Sequence, residues 1–335
     1  MKRTKLPNKD SFDFLHDLTN AKGLSGRFIC SPFSVLHASS GDWQQRKREW
    51  LALGIKSEVG RGEHLTIHAP NLKDIDFYRN KKKRGLLFKG EKTLKKGEKW
   101  EPGKGKPVWQ NSGTSVFDPV LCELMYAWFC PKGGQVIDPF AGGSVRGIVA
   151  SWMGLRYWGS ELREEQVEAN IRQGKEIVPD NEPLWLCGDA FQLLRQAPHA
   201  DFIFSCPPYG DMEVYSDLEE DLSNQTYEEF LGSYKKIIRR ACFALKQNRF
   251  ACFVVMNYRD KRTGFLHDLV GETIRCFETF STYFYNNIIL LTPTGSLPLR
   301  TGRQFHATRK VGSAHQVALI FYKGDTSKIK MEFNQ

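Results

Sequence analysis

The stretch from Val136 to Gly210 constrains this chain more than any other. Val136 and Ile137 read as the end of a buried strand, and Asp138-Pro139 stop it, because proline cannot donate to a sheet ladder. Gly142 and Gly143 let the backbone turn tightly beside a ligand, and Ser144 through Met153 read as a helix. Strand, glycine turn and helix together are how an open α/β sheet builds a nucleotide site at its carboxyl edge. Three more short apolar strands follow: Leu155–Glu161, Leu184 to Asp189-Ala190, and Asp201 to the rigid turn Cys206-Pro207-Pro208-Tyr209-Gly210. The chain is therefore expected to be α/β.

Acids close these strands. Glu161 lies about twenty residues past Asp138, the distance at which a carboxylate meets ribose hydroxyls in such sheets. Asp189 ends the next strand. Each acid taken singly could equally cap a helix or solvate a strand end. As a set they suit an adenosine group with a cationic tail better than a phosphate, which would want lysine or a bare helix N-terminus.

Asp138-Pro-Phe-Ala-Gly-Gly-Ser144 resembles the cofactor motif D-P-F-x-G-x-G of the S-adenosylmethionine-dependent methyltransferases that act on exocyclic amino groups of DNA bases. Cys206-Pro-Pro-Tyr209 resembles their catalytic motif, [D/N/S]-P-P-[Y/F/W]. The likeness covers about residues 113–324, and the whole chain is also similar to DNA methylases encoded by bacteriophages. It implies a Rossmann-like class I methyltransferase domain: a seven-stranded mixed sheet, helices on both faces, and the last two strands (286–291 and 316–322) as an antiparallel pair. It implies S-adenosylmethionine as cofactor. Asp138, Pro139, Phe140, Gly142, Gly143 and Ser144 would face its methionine part, Glu161 the ribose, and Asp189 with Ala190 the adenine. The segment around Phe117 would close over the methionine end.

The same resemblance makes Cys206, Pro207, Pro208 and Tyr209 the catalytic group. An exocyclic amine is a poor nucleophile because its lone pair is delocalised into the ring. The Pro207 carbonyl, on a stiff backbone without N–H groups, is suited to accept one amine hydrogen. Tyr209 would stack on a base flipped out of the duplex. The target is cytosine N4 or adenine N6. Cys206 departs from the family, which has Asp, Asn or Ser there. It could replace Ser, stay passive beside the Pro207 carbonyl, or attack a pyrimidine as a nucleophile. Two other functions stay open. One is an RNA guanine-N2 methyltransferase, whose Asn-Pro-Pro-Tyr-Gly motif Gly210 fits and Cys206 does not. The other is a cofactor-binding DNA-binding protein without catalysis.

The 335 residues carry a net charge of +10, which favours a polyanion partner, here double-stranded DNA. Lysines crowd residues 71–110, including Lys81, Lys82, Lys83 and Arg84, with Tyr78, Phe88, Trp100 and Trp109 interleaved. A loop over 293–314 adds Arg300, Arg303, Arg309 and Lys310. Both are expected to touch DNA. A helix over 42–53, capped by Asp42 and carrying Arg46, Lys47 and Arg48, either lies on DNA or packs on the core. The expected division is a basic extension over 1–110, the methyltransferase domain over 111–325 and a tail over 326–335. No apolar run approaches the roughly 18 residues that span a membrane. The eight cysteines form no C-x-x-C pair, and His64 and His68 lack the acid that a zinc helix needs, so no metal is expected. A monomer or homodimer in the cytoplasm of a bacterial or phage-infected cell is the simple expectation.

Overall fold

The computed structural model describes residues 28–56, 117–210, 216, 218, 220–294 and 297–333. Lys81, Lys82, Lys83 and Arg84 of the expected basic arm lie outside the described residues, as do His64 and His68.

The chain enters through strand β1 (Val35–His37) and helix α1 (Gly41–Ala52). Ser40, one position outside the helix, caps it by accepting from the Trp43 N–H, and Asp42 sits in the first turn instead of at the cap. Helix α2 (Pro119–Phe129) starts as expected, with Asp118 accepting from the Val120 N–H and proline at the first helical position. The βα units follow: β2 (Gln135–Asp138), α3 (Val145–Trp152), β3 (Arg156–Glu161), α4 (Glu164–Ile177), β4 (Leu184–Cys187), the short α5 (Ala190–Leu193) and β5 (Ala200–Ser205). Helix α6 (Tyr227–Ala244) opens on the capping box between Thr226 and Glu229 and leads straight into β6 (Leu245–Val255). A small antiparallel hairpin, β7 (Tyr258–Arg259) and β8 (Leu266–His267), precedes α7 (Leu269–Thr279). Strand β9 (Tyr283–Leu291), helix α8 (Leu297–Thr308), strand β10 (His315–Lys323) and helix α9 (Ile329–Phe333) complete it.

One sheet organises these elements, in the order β1-β9-β10-β6-β5-β2-β3-β4. Every strand pair is parallel except the two that β10 makes, with β9 and with β6. This is the expected Rossmann-like methyltransferase fold, with the antiparallel final pair in place. It has eight strands and not seven, because β1 adds to the edge beside β9, with Val35 opposite Ile289. This strand comes from the part of the chain expected as an N-terminal extension. The expected loop over 293–314 contains the three turns of α8, so Arg300 and Arg303 stand on a helix.

The central strands are buried on both faces, which is why they read as continuous apolar runs. Their side chains alternate between two cores. Val136, Phe202, Phe204, Phe250 and Cys252 face α1, α2 and α3. Ile137, Ile203, Ala251, Phe253 and Phe321 face α6 and α7. Helix α1 belongs to the first core through Trp43 and Trp50. Two of its three cations reach α2 and its cap: Arg46 pairs with the buried Glu123, and Lys47 with Asp118 at 3.0 Å, while Arg48 is exposed. The Trp50 indole N–H donates to Glu123 at 2.9 Å, and that of Trp43 to Asp118 at 3.2 Å. The core reading of α1 is therefore the one the structure bears out.

Glu123 holds this contact from within the core. Glu123→Ala strands the Arg46 charge and the Trp50 N–H together, so urea unfolding should report a loss of about 3 kcal/mol. Glu123→Gln should lose less.

Candidate active site

Strands β2 to β6 run parallel, so their carboxyl ends share one edge. β9 ends and β10 begins at the same edge, where Leu291 pairs with His315 and Val317 with Val255. All the described residues expected to act lie at or beyond this edge.

The turn after β2 is built around Asp138. Its carboxylate is 0% exposed and fully engaged. One oxygen accepts from the Arg146 Nε at 2.6 Å and the Tyr157 hydroxyl at 2.7 Å. The other accepts from the Ser205 hydroxyl and from the Phe140 N–H at 3.2 Å. The carboxylate expected near a cofactor thus organises the turn itself. Arg146, on the first turn of α3, also donates to the carbonyls of Phe140 and Ala141, the latter at 3.0 Å. Burial alone would lower the Arg146 pKa, but the neighbouring Asp138 charge outweighs it and moves the guanidinium up. Burial and the same carboxylate push the Tyr157 phenol up. Phe117 lies over the guanidinium, 4.5 Å from it, and meets Phe204 edge-on.

Gly142 has φ of +52°, a left-handed conformation that suits glycine, whereas Gly143 does not need one. The Gly142 carbonyl accepts from Asn170 at 2.7 Å, and its N–H donates to Glu161 at 3.0 Å. Ser144 is buried, and its hydroxyl donates to Gln173 on α4. Gln173 in turn holds the backbone of Lys56 through two bonds of 2.8 Å. The pieces left to meet a ligand here are the backbone of 140–143 and the half-buried Phe140 ring.

Glu161 and Asp189 remain partly open. Glu161 accepts from the N–H groups of Gly142 and Arg163 and pairs with the Arg163 side chain at 3.4 Å. Burial raises its pKa, these partners pull it back, and the Asp221 charge adds to the rise. Asp189 caps α5 by accepting from the Phe191 N–H, with Ala190 buried behind it. A bond of 2.9 Å from Gly188 N–H to the Glu161 carbonyl ties the tips of β3 and β4 together.

The Cys206–Tyr209 turn leaves β5 beside that of β2. Pro207 is buried, and Cys206, Pro208 and Tyr209 are half-buried. The Cys206 Sγ lies 3.6 Å from the Tyr209 hydroxyl. That hydroxyl also accepts from the Gln316 Nε2 at 3.2 Å. Gly210 closes the turn with φ of +51°, and a Cβ there would fall 2.2 Å from the Tyr258 hydroxyl. Arg303 and Arg309 are exposed and Lys310 is half-buried. Arg146, Tyr157 and Gln316 do not stand out in the sequence. Arg146 carries a signal, a cation on the first turn of the helix after the motif, while Gln316 stands 107 residues from Tyr209 and carries none.

No family model matches the chain. Over 118 residues it is 27% identical to a protein of Methanothermococcus thermolithotrophicus assigned as a probable tRNA (guanine(10)-N2)-dimethyltransferase, across 31% of this chain and 73% of that one. Among solved structures it is similar to TrmN from Thermus thermophilus, with a TM-score of 0.41 and 14% identity over 61% of this chain. The match spans 48% of TrmN, about half its length. Magnesium protoporphyrin IX methyltransferase from Synechocystis PCC 6803, crystallised with bound S-adenosylmethionine, gives a TM-score of 0.39 and 12% identity over 61% of this chain and 79% of that one. Another Thermus thermophilus protein, assigned as a candidate DNA modification methylase, gives 0.30 and 18% over 41% and 51%. The strand order and the antiparallel final pair make the fold Rossmann-like.

Arg146→Met leaves the Asp138 carboxylate buried without its cation. Denaturant unfolding should show a loss of about 3–5 kcal/mol. Adding Asp138→Asn removes the stranded charge and should recover part of it; no recovery would mean that Arg146 acts through packing alone.

Proposed function

We propose that this chain is a methyltransferase that moves a methyl group from S-adenosylmethionine to an exocyclic amino nitrogen of a nucleic-acid base, with DNA as the leading substrate. The observation that carries the reading is the juxtaposition at one sheet edge of the glycine turn after β2, the open carboxylate of Glu161 and the double-proline turn after β5. The residues fit the cofactor. Glu161, anchored on one side by two N–H groups, can accept from a ribose diol on the other. Asp189 at the next tip suits the adenine amine. The backbone of 140–143 suits the methionine end.

The sulfonium supplies an activated methyl whose departure leaves a neutral thioether. This chain's own groups deal with the amine. The Pro207 carbonyl accepts one of its hydrogens and draws the lone pair out of conjugation. Tyr209, its hydroxyl held by Gln316, offers a ring face to the base. As the nitrogen gains the methyl, it loses one proton to solvent. Holding the two reactants in line supplies much of the rate. DNA is favoured by the motif pair and the basic surface. RNA is the second reading, favoured by the relative named for tRNA guanine-N2 and by Gly210 after the motif tyrosine.

Transfer of tritiated methyl to duplex DNA and to tRNA, followed by nucleoside mass spectrometry, tests the reading. Label on cytosine N4 or adenine N6 is expected; label on guanine N2 of RNA alone would move the assignment, and no label on either would end it. Cys206→Ser should keep or raise activity if the thiol replaces a hydroxyl, whereas complete loss would point to a nucleophile.

The raised pKa of Glu161 gives a pH dependence. Only the ionised carboxylate accepts from both ribose hydroxyls. Cofactor affinity, measured by calorimetry, should therefore be full at neutral pH and fall with acidification, beginning above the range of an ordinary carboxylate. In Glu161→Gln the affinity should be lower and flat over the same range.

A further inference from the structure

We propose that the β7–β8 hairpin and the end of α8 form one ledge that carries the nucleic-acid strand flanking the target base, with Phe265 as its stacking platform. This rests on the nucleic-acid reading above and adds to the expected 293–314 contact the β7–β8 hairpin, which the sequence did not single out.

The hairpin is fixed to the active turn at one end and to α8 at the other. At its base, Tyr258 packs so closely on Gly210 that a Cβ there would meet its hydroxyl at 2.2 Å. At its tip, the Lys310 Nζ lies against Gly264, 2.5 Å from where a Cβ would stand. Lys310 follows directly on α8. Between these anchors the hairpin is internally braced. Arg259 donates to the Gly264 carbonyl at 3.1 Å, Asp260 caps the Thr263 N–H, and His267 lies within 3.6 Å of Asp260. The His267 ring stacks on Tyr227 at 3.8 Å. This is a rigid projection of the catalytic edge.

What it presents is unusual for a surface facing only water. Phe265 at the tip is 78% exposed, and Phe305 and Val311 on the α8 side are 43% and 69% exposed. Around them cations predominate. Residues 258–267 hold three Lys or Arg and one acid, and residues 297–315 hold four and none. Arg262, Arg303 and Arg309 are exposed, and the Arg309 guanidinium lies over the Phe305 ring at 5.4 Å. Exposed aromatic rings set among cations are what an unstacked base and its phosphates require. A protein partner with an acidic, apolar face would meet the same chemistry less well, because the ledge adjoins the Tyr209 turn where a base must arrive. The cofactor side of the edge has the opposite character, with Glu161, Glu164, Glu165 and Asp221, so a polyanion is directed to the ledge.

The test uses the full chain with Arg262→Ser, Phe265→Ser, both together, and Phe243→Ser as a control for an exposed ring on another face. Fluorescence anisotropy with a labelled DNA duplex and an RNA hairpin of equal length is recorded over a salt series, and cofactor affinity by calorimetry. Phe265→Ser should weaken binding about tenfold at fixed salt. Arg262→Ser should reduce the slope of log affinity against log salt by about one. Cofactor affinity and the Phe243→Ser protein should be unchanged. Parent-like affinity and slope in the double variant would overturn the ledge and leave the methyltransferase reading standing. Failure of the parent itself to bind either nucleic acid would overturn both.

Discussion

The buried pair of Asp138 and Arg146 is the interaction on which the carboxyl edge of the sheet depends. Asp138 terminates the central strand, and Arg146 begins the helix that follows, so their bond of 2.6 Å fixes the angle at which β2 turns into α3. The remaining donors and acceptors of the pair are used on the turn itself: the carbonyls of Phe140 and Ala141, the Phe140 N–H, the Ser205 hydroxyl. A buried ion pair of this kind adds little net stability, because desolvation consumes most of the attraction. Its effect is geometric. It links the ends of β2 and β5 through Ser205, and those two strand ends carry the glycine turn and the double-proline turn. The two turns are thereby held in register by one set of hydrogen bonds beneath them.

Charge is distributed unevenly along that edge. Acids cluster beyond β3 and β4, with Glu161, Asp189 and Asp221, and cations beyond β6 and β10, with Arg262, Arg303 and Arg309. The division follows from the strand order. β10 inserts antiparallel between β6 and β9, so the long connection carrying α8 is delivered to the carboxyl edge beside the Tyr209 turn and not to the opposite one. Under the proposed reading, a cationic donor and a polyanionic acceptor would approach the same point from different sides. The Gln316 bond to Tyr209 stands where the two halves meet.

The sequence is legible where local chemistry determines structure. The strand ends at Asp138, Glu161 and Ser205 follow from apolar runs stopped by proline, serine or a turn. The caps at Asp118 and Thr226 follow from side chains that reach their own helix. It is not legible where the partner is distant. The motif position of Asp138 suggests a ligand contact, while its true neighbours, Arg146 and Tyr157, come from other elements. Ser144 turns to Gln173 for the same reason. β1 escapes notice because three residues paired only at 289–291 carry no periodic signal. α8 reads as a loop because proline and glycine punctuate it, yet Pro298 falls in the first turn, where its missing N–H costs nothing.

Cys206 is where sequence and structure together say most about mechanism. Its sulfur faces the Tyr209 hydroxyl at 3.6 Å, the reach of a weak thiol contact. A group so placed is a poor substitute for a carboxylate acceptor. Under the proposed reading the Pro207 carbonyl, on a buried proline followed by Pro208, would take the amine hydrogen instead. A carbonyl does not titrate in the accessible range, so under the proposed reading this step would carry no pH dependence of its own, whereas the Glu161 carboxylate, its pKa raised by burial, would add one through cofactor binding.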